Sequence, residues 1–167
     1  QYFEDTDVAI AAAAVADYKP KNVAQQKIKK SEASFTIELE KNKDMNLETY
    51  YEYCLSKKGV TEHFPFDEDT LVFKVGGKMF ALSSLVQWEK GTPSLNLKCD
   101  PEYAQELRAQ YDAIEPGFHM SKTHWNTIAI NASVQDVLVK ELIDHSYELV
   151  FKSLTKKIQD EINKLEK

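Results

Sequence analysis

Residues 70–82, TLVFKVGGKMFAL, decide the fold class of this chain. Two runs rich in β-branched and aromatic residues flank Gly76-Gly77, and two such runs joined by two glycines are a strong hairpin signal. Moving outward, residues 94–99 (SLNLKC) alternate apolar and polar, which predicts a third strand, and residues 125–130 (WNTIAI) predict a fourth. Upstream, Asn46 is a suitable N-cap for a helix whose apolar positions are Leu47, Tyr50, Tyr51 and Cys54, closed by Gly59. Downstream, Asp100-Pro101-Glu102 starts a second helix with proline in its first turn, running to about Gln110. Ser133, with Asp136 three residues on, is placed to cap a last helix. Its apolar positions run through Val134, Val137, Leu138, Leu142, Leu149, Leu154, Ile158 and Ile162. The order helix, hairpin, strand, helix, strand, helix predicts an α+β domain with helices packed on one antiparallel sheet.

Bulk composition limits the function classes. The 167 residues are 43% hydrophobic and 29% charged, with a formal net charge of −6, as in an ordinary globular chain. No apolar run reaches the roughly 18 residues of a membrane span, so no membrane partner is expected. Cys54 and Cys99 lie far apart and match no metal spacing, which fits reduced thiols in a cytoplasmic protein. Residues 1–44 carry 7 Lys against 8 Asp and Glu, while residues 45–167 carry 14 Lys and Arg against 19 Asp and Glu. An acidic balance works against generic nucleic-acid binding, which depends on clustered cations, although a local basic face is still allowed.

Met45 divides the sequence. Before it, the nearly continuous apolar run over residues 8–15 suits a buried strand, and Phe35, Ile37 and Leu39 alternate with polar residues as in a second. Between them lies a polar loop with Lys19, Lys21, Lys27, Lys29 and Lys30. Strand, lysine-rich loop and strand can close over an anionic ligand, or can be an ordinary solvated loop.

AAAAVADYKP, then QKIKK, then FTIELEKNKD resembles phosphopantothenate–cysteine ligase, the synthetase half of the bifunctional coenzyme A protein Dfp or CoaBC. The resemblance implies a nucleotide-site segment from Ala12 through Ala14 and Asp17 to Tyr18, and a flap carrying Lys27, Lys29 and Lys30. Asn42-Lys43-Asp44 departs from the family's Asn-Pro-Asp. The glycine-rich core that would hold nucleotide and acid has no counterpart in this chain. We therefore expect a ligase-like remnant without ligase activity or cofactor, since positioning supplies much of such a rate.

The part from Met45 onward shows no strong catalytic signature. His119 and His124 are five apart with no third ligand in view. Ser83 and Ser84 lack a nucleophile-elbow context. Glu62, Asp67, Glu68 and Asp69 around His63 read as a solvated turn. His145 and Tyr147 read as packing or capping residues of a helix.

YYEYCLSKKGVTEHFPFDEDTLVFKVGGKMFAL, then LNLKCDPEYAQELRAQYDAIEPGFHMSKTHWNTIAI, then LIDHSYELVFKSLTKK is similar throughout to the MmcQ/YjbR family, whose members usually begin near Met45. The resemblance implies a two-layer α+β fold, with the sheet covered by helices on one face and akin to secretion chaperones. It also implies non-catalytic DNA binding. The candidate contacts are Lys74 and Lys78 on a hairpin wing, Lys98, Arg108, and the segment Lys122, His124, Trp125 and Asn126. The alternative is a protein- or small-ligand-binding module, with another protein or a second copy docking at strand edges.

Overall fold

The computed structural model describes residues 18–20, 39–41, 45–130 and 133–165. The chain separates into two compact units, Gln1–Asp44 and Met45–Lys167. In the first, β1 (Tyr18–Pro20) pairs antiparallel with β2 (Leu39–Lys41), Tyr18 facing Lys41. The expected strands over residues 8–15 and through Phe35 and Ile37 lie outside the described residues, as do Ala12, Ala14, Asp17, Lys27, Lys29 and Lys30.

The second unit opens on α1 (Leu47–Leu55), where Asn46 Oδ1 accepts the Thr49 amide at 2.8 Å. Six strands follow: β3 (Val60–His63), β4 (Thr70–Val75), β5 (Lys78–Ser84), β6 (Ser94–Lys98), β7 (Ile114–Pro116) and β8 (Trp125–Ala129). They form one antiparallel sheet in the order β3-β4-β5-β6-β8-β7. The helices α2 (Leu85–Glu89), α3 (Pro101–Gln110), α4 (Asp136–Lys152) and α5 (Lys156–Asn163) complete the unit.

Strand alternation sends successive side chains to opposite faces, and the two faces have different coverings. Leu71, Phe73, Val75, Leu95, Leu97 and Ile128 point to one side and pack with Tyr50 of α1, Leu107 of α3, Ile143 of α4 and Ile162 of α5. On the other side Val72, Leu82 and Trp125 make a small cluster with Met79 and Met120, and no helix contributes to it. This is an α+β domain with helices on one face of an open antiparallel sheet.

Between β4 and β5 the turn takes positive φ at both Gly76 (+56°) and Gly77 (+78°), as the sequence requires. A Cβ at Gly76 would lie 2.6 Å from Leu154 Cδ1 and 3.1 Å from Ile158 Cγ2. The α4–α5 corner therefore covers this turn, and Lys78 Nζ donates to the Ser153 carbonyl at 3.0 Å. The hairpin expected to project as a wing is packed against the α4–α5 corner on its Gly76 side, because glycine there lets Leu154 close on bare backbone, while Gly77 stays exposed.

A bulge lies just beyond. Phe73 faces Ala81 while Lys74 faces Met79, so Phe80 is the extra residue, and Phe80 and Ala81 both enter the main core. The β5–β6 ladder stops at Ala81↔Leu97. Buried Ser146 of α4 takes over there: its hydroxyl accepts the Lys98 amide at 2.8 Å and donates to the Phe80 carbonyl at 2.5 Å.

Two sequence expectations change. The last helix begins at Asp136, with Gln135 rather than Ser133 at its N-cap position and no side-chain bond from Gln135 there, and it breaks at Ser153–Thr155 into α4 and α5. The apolar spacing continues through the break because Leu154 still points into the core, so periodicity alone could not show it.

Candidate binding groove on the open sheet face

The uncovered face is divided by the apolar cluster around Trp125. Toward the Gly76–Gly77 end, Lys74 pairs with Met79 and Lys98 with Trp125, so alternation puts both lysines on this face. Toward the opposite end lies a groove of about 690 Å³. Its floor includes Leu82, Ser94, Asn96 and Thr127, with Thr70 and Ser84 beside them, and the register places Leu82, Asn96, Thr127 and Glu115 on four successive strands. Its walls come from two loops, Phe66 and Asp67 between β3 and β4, and Phe118, His119 and Met120 between β7 and β8.

Both wall phenylalanines face water, Phe66 at 60% and Phe118 at 66% exposure. Aromatic rings held on the rim of a concave site are poised for a ligand, because their own burial does nothing for the core. Gly117 fixes one wall: its amide donates to the Trp125 carbonyl at 2.8 Å, and a Cβ there would stand 2.7 Å from Trp125 Cβ. Next to it, Phe118 N–H donates to Thr127 Oγ1 at 2.8 Å, and His119 takes φ +54° with its ring 4.0 Å from that of Phe118.

The polar floor has a fixed polarity. Thr127 Oγ1 already accepts from Phe118, so its proton goes to Asn96 Oδ1 at 2.6 Å. Asn96, only 9% exposed, then turns its amide nitrogen to the groove as a donor. Ser94 Oγ donates to Gln87 Oε1 at 2.6 Å in the same sense. On the wall, the Thr70 hydroxyl, with the amides of Thr70 and Asp69, holds the Asp67 carboxyl below its ordinary range, so it is ionised at neutral pH.

A second cavity, about 860 Å³, runs along α5 between residues 55–61 and Gly76, Gly77, Ile162 and Leu165. Its two lysines are engaged, Lys57 with Asp144 and Lys58 with the Asn163 carbonyl, so it lacks convergent free polar groups.

The nucleic-acid contacts named from sequence do not converge. Arg108 is turned inward: Nε donates to Asn126 Oδ1 at 2.8 Å, and Nη2 to the carbonyls of Lys122 at 2.6 Å and Trp125 at 3.1 Å. Asn126 is buried on the helix side, and Trp125, 8% exposed, fills the apolar cluster of the open face. Neither offers a base-reading edge. Lys78 sits at the end of α4, while Lys74 and Lys98 share the open face and Lys122 and His124 are exposed in the β7–β8 connection. Sequence reasoning missed Phe66, Phe118 and Asn96. The polar half of the alternation in Ser94, Asn96 and Lys98, unremarked on a strand with Leu95 and Leu97, was the signal for a second functional face.

Cys54 and Cys99 are buried free thiols, and among the described residues no group of His, Cys, Asp and Glu could hold a metal ion. No helix among the described residues is long and apolar enough to cross a membrane.

An open six-stranded antiparallel sheet, backed by helices on one side and hollowed on the other, defines an α+β domain. The chain belongs to the YjbR family, whose model matches residues 55–149. It is 37% identical over 99 residues to the uncharacterized protein YbdF of Escherichia coli O157:H7, covering 59% of this chain and 79% of that one. It is 31% identical over 104 residues to the uncharacterized protein YjbR of Escherichia coli K12, covering 62% and 86%. The crystal structure of the Deinococcus radiodurans protein DR2400, a DUF419 domain, superposes with a TM-score of 0.66 at 37% identity, covering 71% of this chain and 88% of that one. A Pseudomonas syringae protein superposes at 0.55 with 26% identity, covering 64% and 99%. Residues 1–53 are similar to the DNA/pantothenate metabolism flavoprotein C-terminal domain.

Proposed function

We propose that residues 45–167 form a non-catalytic binding module whose ligand, a protein segment or a small molecule, lies on the sheet face that the helices leave uncovered. The observation that carries this reading is the groove itself. It combines about 690 Å³ of space, two exposed rim phenylalanines and the Asn96 amide on its floor, the usual makings of a ligand site. A diverse fragment collection, screened by amide chemical shifts of the labelled chain, tests it. Hits should move Leu82, Asn96 and Thr127, and hits that gather instead on α4 would refute the reading.

DNA binding is a second reading, supported by the shared position of Lys74 and Lys98 at one end of the same face, with Lys122 exposed in the β7–β8 connection. It draws on phosphate contacts rather than base readout, since Arg108 and Asn126 are occupied with each other. Fluorescence anisotropy with duplex DNA at low and high salt tests it. Binding should weaken with salt and with joint substitution of Lys74, Lys98 and Lys122 by Gln, and salt-independent binding would count against it. For residues 1–44, similarity to the coenzyme A synthetase is tested by pyrophosphate release with CTP, phosphopantothenate and cysteine, where we expect no turnover.

A further inference from the structure

The groove's chemistry narrows what it holds. Its lining contains Asp67 and Glu115 and no lysine or arginine, and His119 is its one basic side chain. Asp67 stands on one wall and Glu115 on β7 at the edge of the floor, and Phe66 and Phe118 are exposed in the same lining. Aromatic faces with nearby carboxylates attract an organic cation through the ring quadrupole and through direct charge, and they disfavour phosphate. The floor adds a separate demand. Asn96 is nine-tenths buried, its oxygen is committed to Thr127, and its Nδ2 has no hydrogen-bond partner among the described residues. As a free donor on the groove floor, it suits a ligand that brings a neutral carbonyl oxygen to this point.

We propose that the groove binds a lysine or arginine residue within an extended peptide of a partner protein, its cation among Phe66, Phe118, Asp67 and Glu115 and a backbone carbonyl on Asn96 Nδ2. Simple alternatives satisfy only part of the site. A polyamine supplies the cation without an acceptor for Asn96. A free basic amino acid brings its own carboxylate into a lining that already holds two. A basic residue inside a chain supplies a cation flanked by neutral carbonyls. The acidic balance of residues 45–167, 14 Lys and Arg against 19 Asp and Glu, favours approach of such a segment. This inference rests on the reading of the open face as the binding surface and adds the partner's chemistry to it.

The test is titration of the full chain with the peptide acetyl-Ala-Ala-Arg-Ala-Ala-amide, followed by calorimetry and amide chemical shifts. The same peptide with citrulline for arginine, and free arginine, serve as controls. The arginine peptide should bind at the groove, shifting Asn96 and Thr127, and about tenfold more tightly than either control. Glu115→Gln and Phe118→Ala, both at exposed positions, should each weaken it about three- to tenfold without changing the melting temperature by more than a few degrees. Equal binding of the arginine and citrulline peptides, or no shift in the groove, overturns the proposal. If the peptide fails while fragments or DNA still move the open face, the cation assignment falls and the binding surface stands. Shifts confined to the helix side overturn both.

Discussion

Arg108 Nε donates to Asn126 Oδ1 at 2.8 Å, and this bond joins α3 to β8 beneath the loop that walls the groove. The same guanidinium binds the carbonyls of Lys122 and Trp125, so the only arginine of the sequence serves as a structural clamp. Asn126 Nδ2 is buried with no hydrogen-bond partner, which leaves the bond from Arg108 as the one that this side chain makes among the described residues.

Arg108→Ala should therefore destabilise the domain by about 2–4 kcal/mol, since it strips a buried acceptor and two loop carbonyls of a charged donor. Urea denaturation would measure it. A loss below about 0.5 kcal/mol, the scale of an ordinary surface change, would mean that the clamp is not formed in solution.

Ser146→Ala tests the repair of the bulge. With the hydroxyl gone, the Phe80 carbonyl and the Lys98 amide both lose their partner in a dry setting. We expect a loss of about 2–3 kcal/mol and faster hydrogen exchange at the Lys98 amide in particular. Unchanged protection at Lys98 would contradict the bridge.

Gly117→Ala bears on the groove. The new methyl would meet Trp125 Cβ at 2.7 Å and the Trp125 carbonyl at 3.0 Å, neither of which is a flexible side-chain end. The loop must lift, at a cost of about 1–3 kcal/mol, carrying Phe118 off its bond to Thr127. Ligand binding at the groove should weaken with the stability, whereas any DNA binding through Lys74 and Lys98 should not.

His145 predicts an acid-side loss of stability. Burial holds its imidazole below the ordinary histidine value; Asp100 opposes this shift and Lys152 adds to it. The Asp100 amide donates to Nε2 at 3.2 Å, a bond that requires the neutral ring. Because the folded value lies below the unfolded one, near 6.5, the unfolded chain binds the proton more readily. Stability from this group is complete above about pH 6.5 and declines as pH falls from there toward the depressed folded value. His145→Gln should flatten that slope in denaturation midpoints between about pH 5 and pH 7.5. An equal slope in both proteins would refute it.

Much of the fold could be read from the sequence where one local rule dominates. Gly76-Gly77 demanded a tight turn, Asn46 and Asp100 had no better use than as caps, and both do cap their helices. Strand β3 escaped notice because Thr61, Glu62 and His63 are all exposed and give no alternation, and β7 is only three residues long. The candidate site was harder to see for a topological reason. Phe66, Leu82, Asn96 and Phe118 belong to four separate segments that meet only once β6 lies between β5 and β8. Residue type misled in the other direction: arginine, asparagine and tryptophan suggested recognition chemistry, but Arg108, Asn126 and Trp125 are committed to holding β8 and its loop in place.

The packing of Gly76 against Leu154 and Ile158 has a further bearing on how this architecture can change. A hairpin held at Gly76 by the C-terminal corner cannot gain a side chain at that position without displacing Leu154 and Ile158. The segments between β3 and β4 and between β7 and β8 are not held by that corner, and they carry the groove's aromatic walls. New ligand preferences in this scaffold are thus channelled into two short stretches rather than into the Gly76 side of the β4–β5 junction.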